Sequence, residues 1–245
     1  MKHLDLFSGI GGFALAARWA GIETVAFCEI EEFPRKVLQK NFPGIPIHQD
    51  IRDLDGSDYA GIDIITGGYP CQPFSTAGKR KGSDDPRHLW PEMFRVIQAS
   101  RPTWVVCENV AGHISMGLDE VLADMESINY TGQAVIIPAC AKNAAHERKR
   151  VWIIFYANGI NAVGSDRPSG ADIQTEKREA KKGIKKRIDR IVKLEPRAVT
   201  SRGDSYAGAL RVLDGIPNRV DRLKALGNAV VPQVAYEILR TIRAV

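Results

Sequence analysis

Leu4-Asp5-Leu6-Phe7-Ser8-Gly9-Ile10-Gly11-Gly12 is an apolar run that breaks into a glycine cluster, and residues 13–20 then continue with helical spacing. A strand passing through a glycine turn into a helix lets backbone N–H groups approach a nucleotide-like ligand at the helix N-terminus. The spacing Gly9-x-Gly11-Gly12 departs from the dinucleotide fingerprint, which disfavours a nicotinamide cofactor. Working outward, short β-rich runs at 24–29, 45–49, 62–66, 104–108, 133–138 and 151–156 alternate with helix-like stretches at 31–41, 91–100 and 118–127. Such alternation predicts an α/β fold with a doubly wound, mostly parallel sheet whose ligands bind beyond the carboxyl ends of the strands.

At 245 residues, 44% hydrophobic and 26% charged, the chain is long enough for one substantial core and a modest appendage. No window approaches the ~18 uninterrupted apolar residues needed to cross a bilayer, and the N-terminus runs into a strand without a signal-peptide pattern, so a monomeric cytoplasmic protein is expected. Cys28, Cys71, Cys107 and Cys140 form no Cys-x-x-Cys pair, which argues against a zinc site or a disulfide framework. Cys28 and Cys107 lie in apolar runs as small hydrophobes, whereas Cys71 lies in a loop.

The formal net charge of +5 is unevenly spread: residues 176–202 hold eleven Lys or Arg against four Asp or Glu, leaving the rest slightly acidic. Ala180, Ile184, Ile188 and Ile191 recur there at helical spacing, with Lys181, Lys182, Lys185 and Lys186 on other faces. This reads as a basic helix suited to a polyanion, or as a solvated helix with one packed stripe. Residues 158–175 are rich in Gly, Ser and Asp, as in an irregular loop. After a Gly-Asn turn, Pro232 opens a closing helix with Val234, Ile238, Leu239 and Ile242 on its apolar side. The expected organisation is a main domain of residues 1–157 plus 218–245, interrupted by a small basic region at 158–217.

Gly67-Gly68-Tyr69-Pro70-Cys71-Gln72-Pro73-Phe74-Ser75 displays a thiol in a tight loop after a buried strand. Cysteine is appreciably ionised near neutral pH and intrinsically nucleophilic, so Cys71 is the candidate to attack a weakly electrophilic ring carbon. Such an addition needs an acid on the ring, and Glu108, ending the fifth strand, is a candidate; a cap on the next turn is its other reading. Arg148 and Arg150 alternate before the last strand, as fork-shaped donors for a carbonyl or phosphate, or as a surface patch. Lys79, Arg80 and Lys81, between glycines, suit a phosphate backbone or a plain flexible loop. Glu29 ends the second strand, where doubly wound folds place an acid for ribose hydroxyls, and Asp50 follows the third.

Together these segments resemble the bacterial and phage cytosine-C5 DNA methyltransferase family. Asp5 to Gly12 is similar to that family's S-adenosylmethionine loop, Glu29-Ile30 and Asp50-Ile51 to its cofactor contacts, and Pro70-Cys71-Gln72 to its nucleophile motif. Glu108-Asn109-Val110 resembles its acid motif and Gly227-Asn228-Ala229-Val230 its last motif, all in the family's order. The resemblance implies a Rossmann-like methyltransferase fold with a cofactor pocket formed by Phe7, Ser8, Gly9, Gly11, Gly12, Glu29, Ile30, Asp50, Ile51, Pro70 and Asn228. Phe7 would lie near the adenine, Glu29 on the ribose, Asp50 on the adenine amino group. It further implies methyl transfer from S-adenosylmethionine, giving S-adenosylhomocysteine, to C5 of a cytosine flipped from duplex DNA through a Cys71–C6 adduct. Glu108 would act at N3, Arg148 and Arg150 at O2, and the 176–202 segment on phosphates.

The family's Gln-x-Arg-x-Arg appears here as His146-Glu147-Arg148-Lys149-Arg150, keeping both arginines and not the glutamine. The target-recognition region, about 60 residues at 158–217, is short, which predicts short or relaxed sequence selectivity. Alternatives are an RNA cytosine-C5 methyltransferase, a catalytically silent DNA-binding relative, or, more remotely, an oxidoreductase. A cognate restriction endonuclease is a further expected partner.

Overall fold

The first strand lies near the middle of the sheet, and the chain winds outward from it in both directions. The computed structural model describes residues 1–70, 88–115, 117–138 and 149–158, with 221, 225, 226 and 228–244. β1 (Lys2–Leu6) leads through the glycine turn to α1 (Gly12–Trp19), then to β2 (Glu23–Cys28), α2 (Glu32–Asn41) and a two-residue β3 (Ile47–His48). Two 3-10 turns, Ile51–Asp53 and Gly56–Tyr59, carry the chain back to β4 (Ile64–Gly67), on the other side of β1. α3 (Trp90–Ser100), β5 (Trp104–Val110), the 3-10 turn Ala111–Ser115, α4 (Leu118–Ser127), β6 (Tyr130–Pro138), β7 (Lys149–Ala157) and α5 (Pro232–Arg243) follow.

The strand order is β3-β2-β1-β4-β5-β7-β6, with β1 to β5 parallel and β7 antiparallel to both its neighbours. Winding direction reverses between β1 and β4, and Leu6 at the end of β1 is in register with Gly67 at the end of β4. Gly67 in turn faces Cys107, one residue before Glu108. The glycine turn and the Gly68–Pro70 segment therefore leave the sheet from adjacent carboxyl ends, with Glu108 near the end of the next strand, at the switch point where doubly wound folds bind ligands.

Side-chain alternation explains the layers. Val105 and Cys107 of β5 face Met93 and Val96 of α3 and Met125 of α4. Trp104 and Val106 face the opposite layer with Phe13 and Ala16 of α1 and Ile238 and Leu239 of α5. Cys28 and Cys107 are buried thiols within this core, as expected. On α5, Val234, Ile238, Leu239 and Ile242 are all buried, each contributing roughly 1.5–3 kcal/mol. The closing helix thus returns to the main sheet beside α1.

Most strand boundaries shift by a residue or two from expectation, and three of the differences have a local reason. β1 stops at Leu6 because Phe7 takes a left-handed φ of 51°. β3 shrinks to two residues, since Pro46 can only accept, from Phe27 N–H at 3.0 Å. β6 begins earlier, at Tyr130, running through Gly132; a Cβ there would come within 2.3 Å of the Phe155 ring, so glycine makes room for a core aromatic rather than a turn. The basic segment at 176–202 lies outside the described residues.

Candidate active site

The turn after β1 is bound to the end of β2 by backbone and carboxylate. Ser8 is buried, its hydroxyl donating to the Asp5 carbonyl at 2.6 Å and its N–H to the Cys28 carbonyl at 3.1 Å. Gly9 has φ 52° and its N–H donates to Glu29 Oε2 at 2.7 Å, while Glu31 N–H donates to Oε1 at 2.8 Å. Two amides thereby orient a carboxylate that keeps further lone pairs toward the space beside Gly9, where a Cβ would meet nothing within 4 Å. Burial pushes the Glu29 pKa up, against the pull of these two amides and of Arg35. Arg35 donates to the Glu29 carbonyl at 3.2 Å and also to that of Ile30. Ile30 itself is 58% exposed, an apolar surface next to the acid.

Glycine is required at the next two positions by contacts rather than by the turn alone. Gly11 has φ 87°, and a Cβ there would lie 2.7 Å from the Phe42 ring. At Gly12 a Cβ would lie 2.9 Å from the Val230 carbonyl oxygen. That second contact brings the segment after Asn228, itself exposed, against the glycine turn, although they are over two hundred residues apart. Asp50 caps the 3-10 turn containing buried Ile51: it accepts from Arg52 N–H at 3.0 Å and from the Arg52 guanidinium at 2.9 and 2.5 Å. These Arg52 hydrogen bonds hold its carboxyl below the usual range. Its position beyond β3 is beside Glu29, whose N–H donates to the His48 carbonyl at 2.9 Å.

On the other side of β1, Glu108 is buried and pairs with Arg150 Nε at 2.9 Å through Oε1. The pair is formed across the β5–β7 ladder, which sets Glu108 opposite Trp152 and Arg150 opposite Val110. A Cβ on Gly68 would lie 3.7 Å from Glu108 Oε2, so the acid stands beside the backbone that leads into Pro70. Asn109 Nδ2 donates to the Tyr69 carbonyl at 3.1 Å, tying the acid segment to the same backbone. Pro70 is exposed at the rim. Cys71, Arg148, Lys79, Arg80, Lys81, Lys181, Lys182, Lys185 and Lys186 lie outside the described residues.

A buried polar chain that no sequence motif marks lies beneath the turn. Thr66 Oγ1 donates to Asp5 Oδ1 at 2.8 Å, so His3 Nε2–H donates to Thr66 at 2.7 Å and His3 Nδ1 accepts from Thr24 at 3.0 Å. Burial lowers the His3 pKa to about 3 and raises that of Asp5 well above the ordinary carboxyl value. Asp5 Oδ2 has no hydrogen-bond partner among the described residues. Period-two spacing of His3 and Asp5 on one strand was the available signal, and it looked like an ordinary strand start.

A doubly wound sheet with a glycine turn and two buried acids along its carboxyl edge has the Rossmann-like methyltransferase fold. Dnmt2 methyltransferase of S. pombe has the same fold, with a TM-score of 0.56 at 23% identity over 71% of this chain and 55% of that one. The sequence pattern of the C-5 cytosine-specific DNA methylase family matches residues 1–212, and the chain belongs to that family. Relatives include the type II methyltransferases M2.BsuMI of Bacillus subtilis, 35% identical over 163 residues (63% of this chain, 41% of that protein), and M.HhaI of Haemophilus parahaemolyticus, 31% over 180 residues (71% and 55%). The chain spans about half the length of these relatives. Among the described residues, no helix is long and apolar enough to cross a membrane.

Proposed function

We propose that the protein methylates C5 of a cytosine flipped out of duplex DNA, with S-adenosylmethionine as donor. The observation that carries this reading is the adjacency of three features along the carboxyl edge: the Gly9–Glu29 cradle after β1 and β2, the Gly68–Pro70 segment after β4, and the Glu108–Arg150 pair on β5 and β7. S-adenosylmethionine supplies an electrophilic methyl group and leaves as S-adenosylhomocysteine. Glu29 and the open side of Gly9 fit its ribose, Ile30 and Phe7 its adenine, Asp50 the adenine amino group, and Asn228 the wall closed by the last motif.

The Cys71 thiolate adds to C6, and the electrons of the 5,6 double bond move into the ring as N3 takes a proton held by Glu108. Arg150, steadied by Glu108, and Arg148 direct N–H donors at O2. C5 then takes the methyl group, a base removes the C5 proton, the C6–S bond breaks to return the thiolate, and N3 gives its proton back to Glu108. Lys79, Arg80, Lys81 and the four lysines at 181, 182, 185 and 186 supply phosphate contacts. Bisulfite sequencing of DNA from cells making the protein tests the reaction; a 5-fluorocytosine duplex, whose C5 substituent cannot leave as a proton, tests the adduct. Methylation without a trapped complex on the mapped site would remove Cys71 from the mechanism.

A further inference from the structure

The chain keeps a buried polar contact that its fold does not require. Tyr69 is 3% exposed and His113 4%. The Tyr69 hydroxyl meets His113 Nε2 at 2.7 Å, and the two rings stand edge to face at 5.4 Å. His113 lies on the 3-10 turn Ala111–Ser115, directly after the Glu108-Asn109-Val110 segment. Its Nδ1 has no partner among the described residues, and burial lowers its pKa to about 4, so the ring is neutral. Phenylalanine in place of both residues would fill the space and strand no polar atom, and an apolar pair of the same shape is often no less stable. The hydrogen bond is therefore better explained by what it orients than by what it stabilises.

What it orients is the backbone two residues before Cys71. Tyr69 is gripped at three points: its hydroxyl by His113, its carbonyl by Asn109 Nδ2 at 3.1 Å, and its ring by Trp90 at 5.1 Å. Trp90 is itself anchored, Nε1 donating to Asp124 Oδ2 at 2.8 Å, and it opens α3. Both ends of the span that carries the thiol are thus clasped to each other and to the element that carries the acid. A nucleophile misplaced by about 1 Å can lose a hundredfold in rate.

We propose that Tyr69 and His113 are positioning residues for the nucleophile: their hydrogen bond sets the direction in which the chain leaves β4, and so the approach of Cys71 to the base held by Glu108. The inference rests on the reading of Cys71 as nucleophile. Tyr69→Phe removes one oxygen and keeps the ring stack; His113→Phe removes the same bond from the other side; His113→Gln restores a partner for the hydroxyl. Single-turnover methylation by Tyr69→Phe and His113→Phe is expected to fall about tenfold or more, with 5-fluorocytosine trapping slowed in parallel, donor and DNA affinity within twofold of wild type, and His113→Gln recovering most of the rate. A wild-type rate in Tyr69→Phe would overturn the proposal, as would a loss matched by weakened donor binding and lowered melting temperature. Should His113→Phe fail to fold, the Tyr69→Phe rate decides alone. Cys71→Ser in the same assay keeps the two readings apart, because retained methylation there would sink the nucleophile assignment whatever Tyr69→Phe does.

Discussion

The side of the site around β1 to β3, which we propose takes the methyl donor, is held by backbone, whereas the side around β4 and β5, which we propose takes the base, is held by side chains. Glu29 is fixed by two amides from residues near it on the sheet edge, and the turn beside it is fixed by left-handed φ values at Phe7, Gly9 and Gly11. Glu108 is fixed by an arginine arriving on an antiparallel strand, and the Tyr69 segment by His113, Asn109 and Trp90. Backbone-built sites tolerate substitution of outward side chains but not of glycines. Side-chain-built sites fail one residue at a time, and fail in rate before they fail in binding.

The sharpest break in that comparison is Glu108→Gln. The amide keeps the shape but holds no acidic proton and ends the ion pair with Arg150, so methyl transfer should drop by about 10²- to 10⁴-fold while donor affinity stays near wild type. Single-turnover kinetics beside calorimetry would check it. A variant with full rate would place the acid elsewhere on the β5 edge.

Glu29→Ala should do the reverse. Loss of a charged acceptor for ribose hydroxyls is worth about 1.5–3 kcal/mol, or roughly ten- to a hundredfold in donor affinity, with DNA binding little changed. Equal donor affinity in mutant and wild type would leave Glu29 a purely local brace for Gly9 and Glu31. Gly12→Ala is expected to be milder and structural, because its Cβ would sit 2.9 Å from the Val230 carbonyl and push the closing segment off the turn. A stability loss of about 1–3 kcal/mol, read from denaturant unfolding, and weaker donor binding are expected together. Donor binding lost without any stability change would mean that α5 packs independently of the turn.

The difference between the halves also decides what could be read in advance. Strand–helix alternation, the glycine turn and the apolar stripe of α5 are local patterns, and the sheet follows them closely. Glu29 was legible because its partners lie at fixed offsets from a strand end. Arg150 was named but its bond to Glu108 was not, since only the register of β7 against β5 brings the two together. Tyr69, His113 and Trp90 carry no local pattern that links them, because their contacts span twenty-one to forty-four positions. Gly132, a common turn residue, instead serves a strand by making room for Phe155.

The smallest predicted effect concerns the polar chain under the turn, and it belongs to stability rather than to rate. Burial lowers the pKa of folded His3 to about 3, whereas in the unfolded chain it lies near the ordinary histidine value of 6.5. Between those limits the unfolded state holds more protons, so acidification favours unfolding by up to about 1.4 kcal/mol per pH unit for this one site. His113 adds the same sign between 6.5 and about 4. Asp5 opposes both, because its raised folded pKa means that the native state gains a proton before the unfolded chain does. In His3→Gln, a neutral side chain able to donate to Thr66, one histidine's share of the slope disappears while the other two groups remain. Unfolding free energies measured from pH 7 down to 4.5 should therefore fall less steeply in the variant than in wild type, with the two curves running parallel above pH 7. Parallel curves across the whole range would mean that His3 reaches water and titrates normally, and that the chain from Thr24 to Asp5 is not sealed beneath the glycine turn.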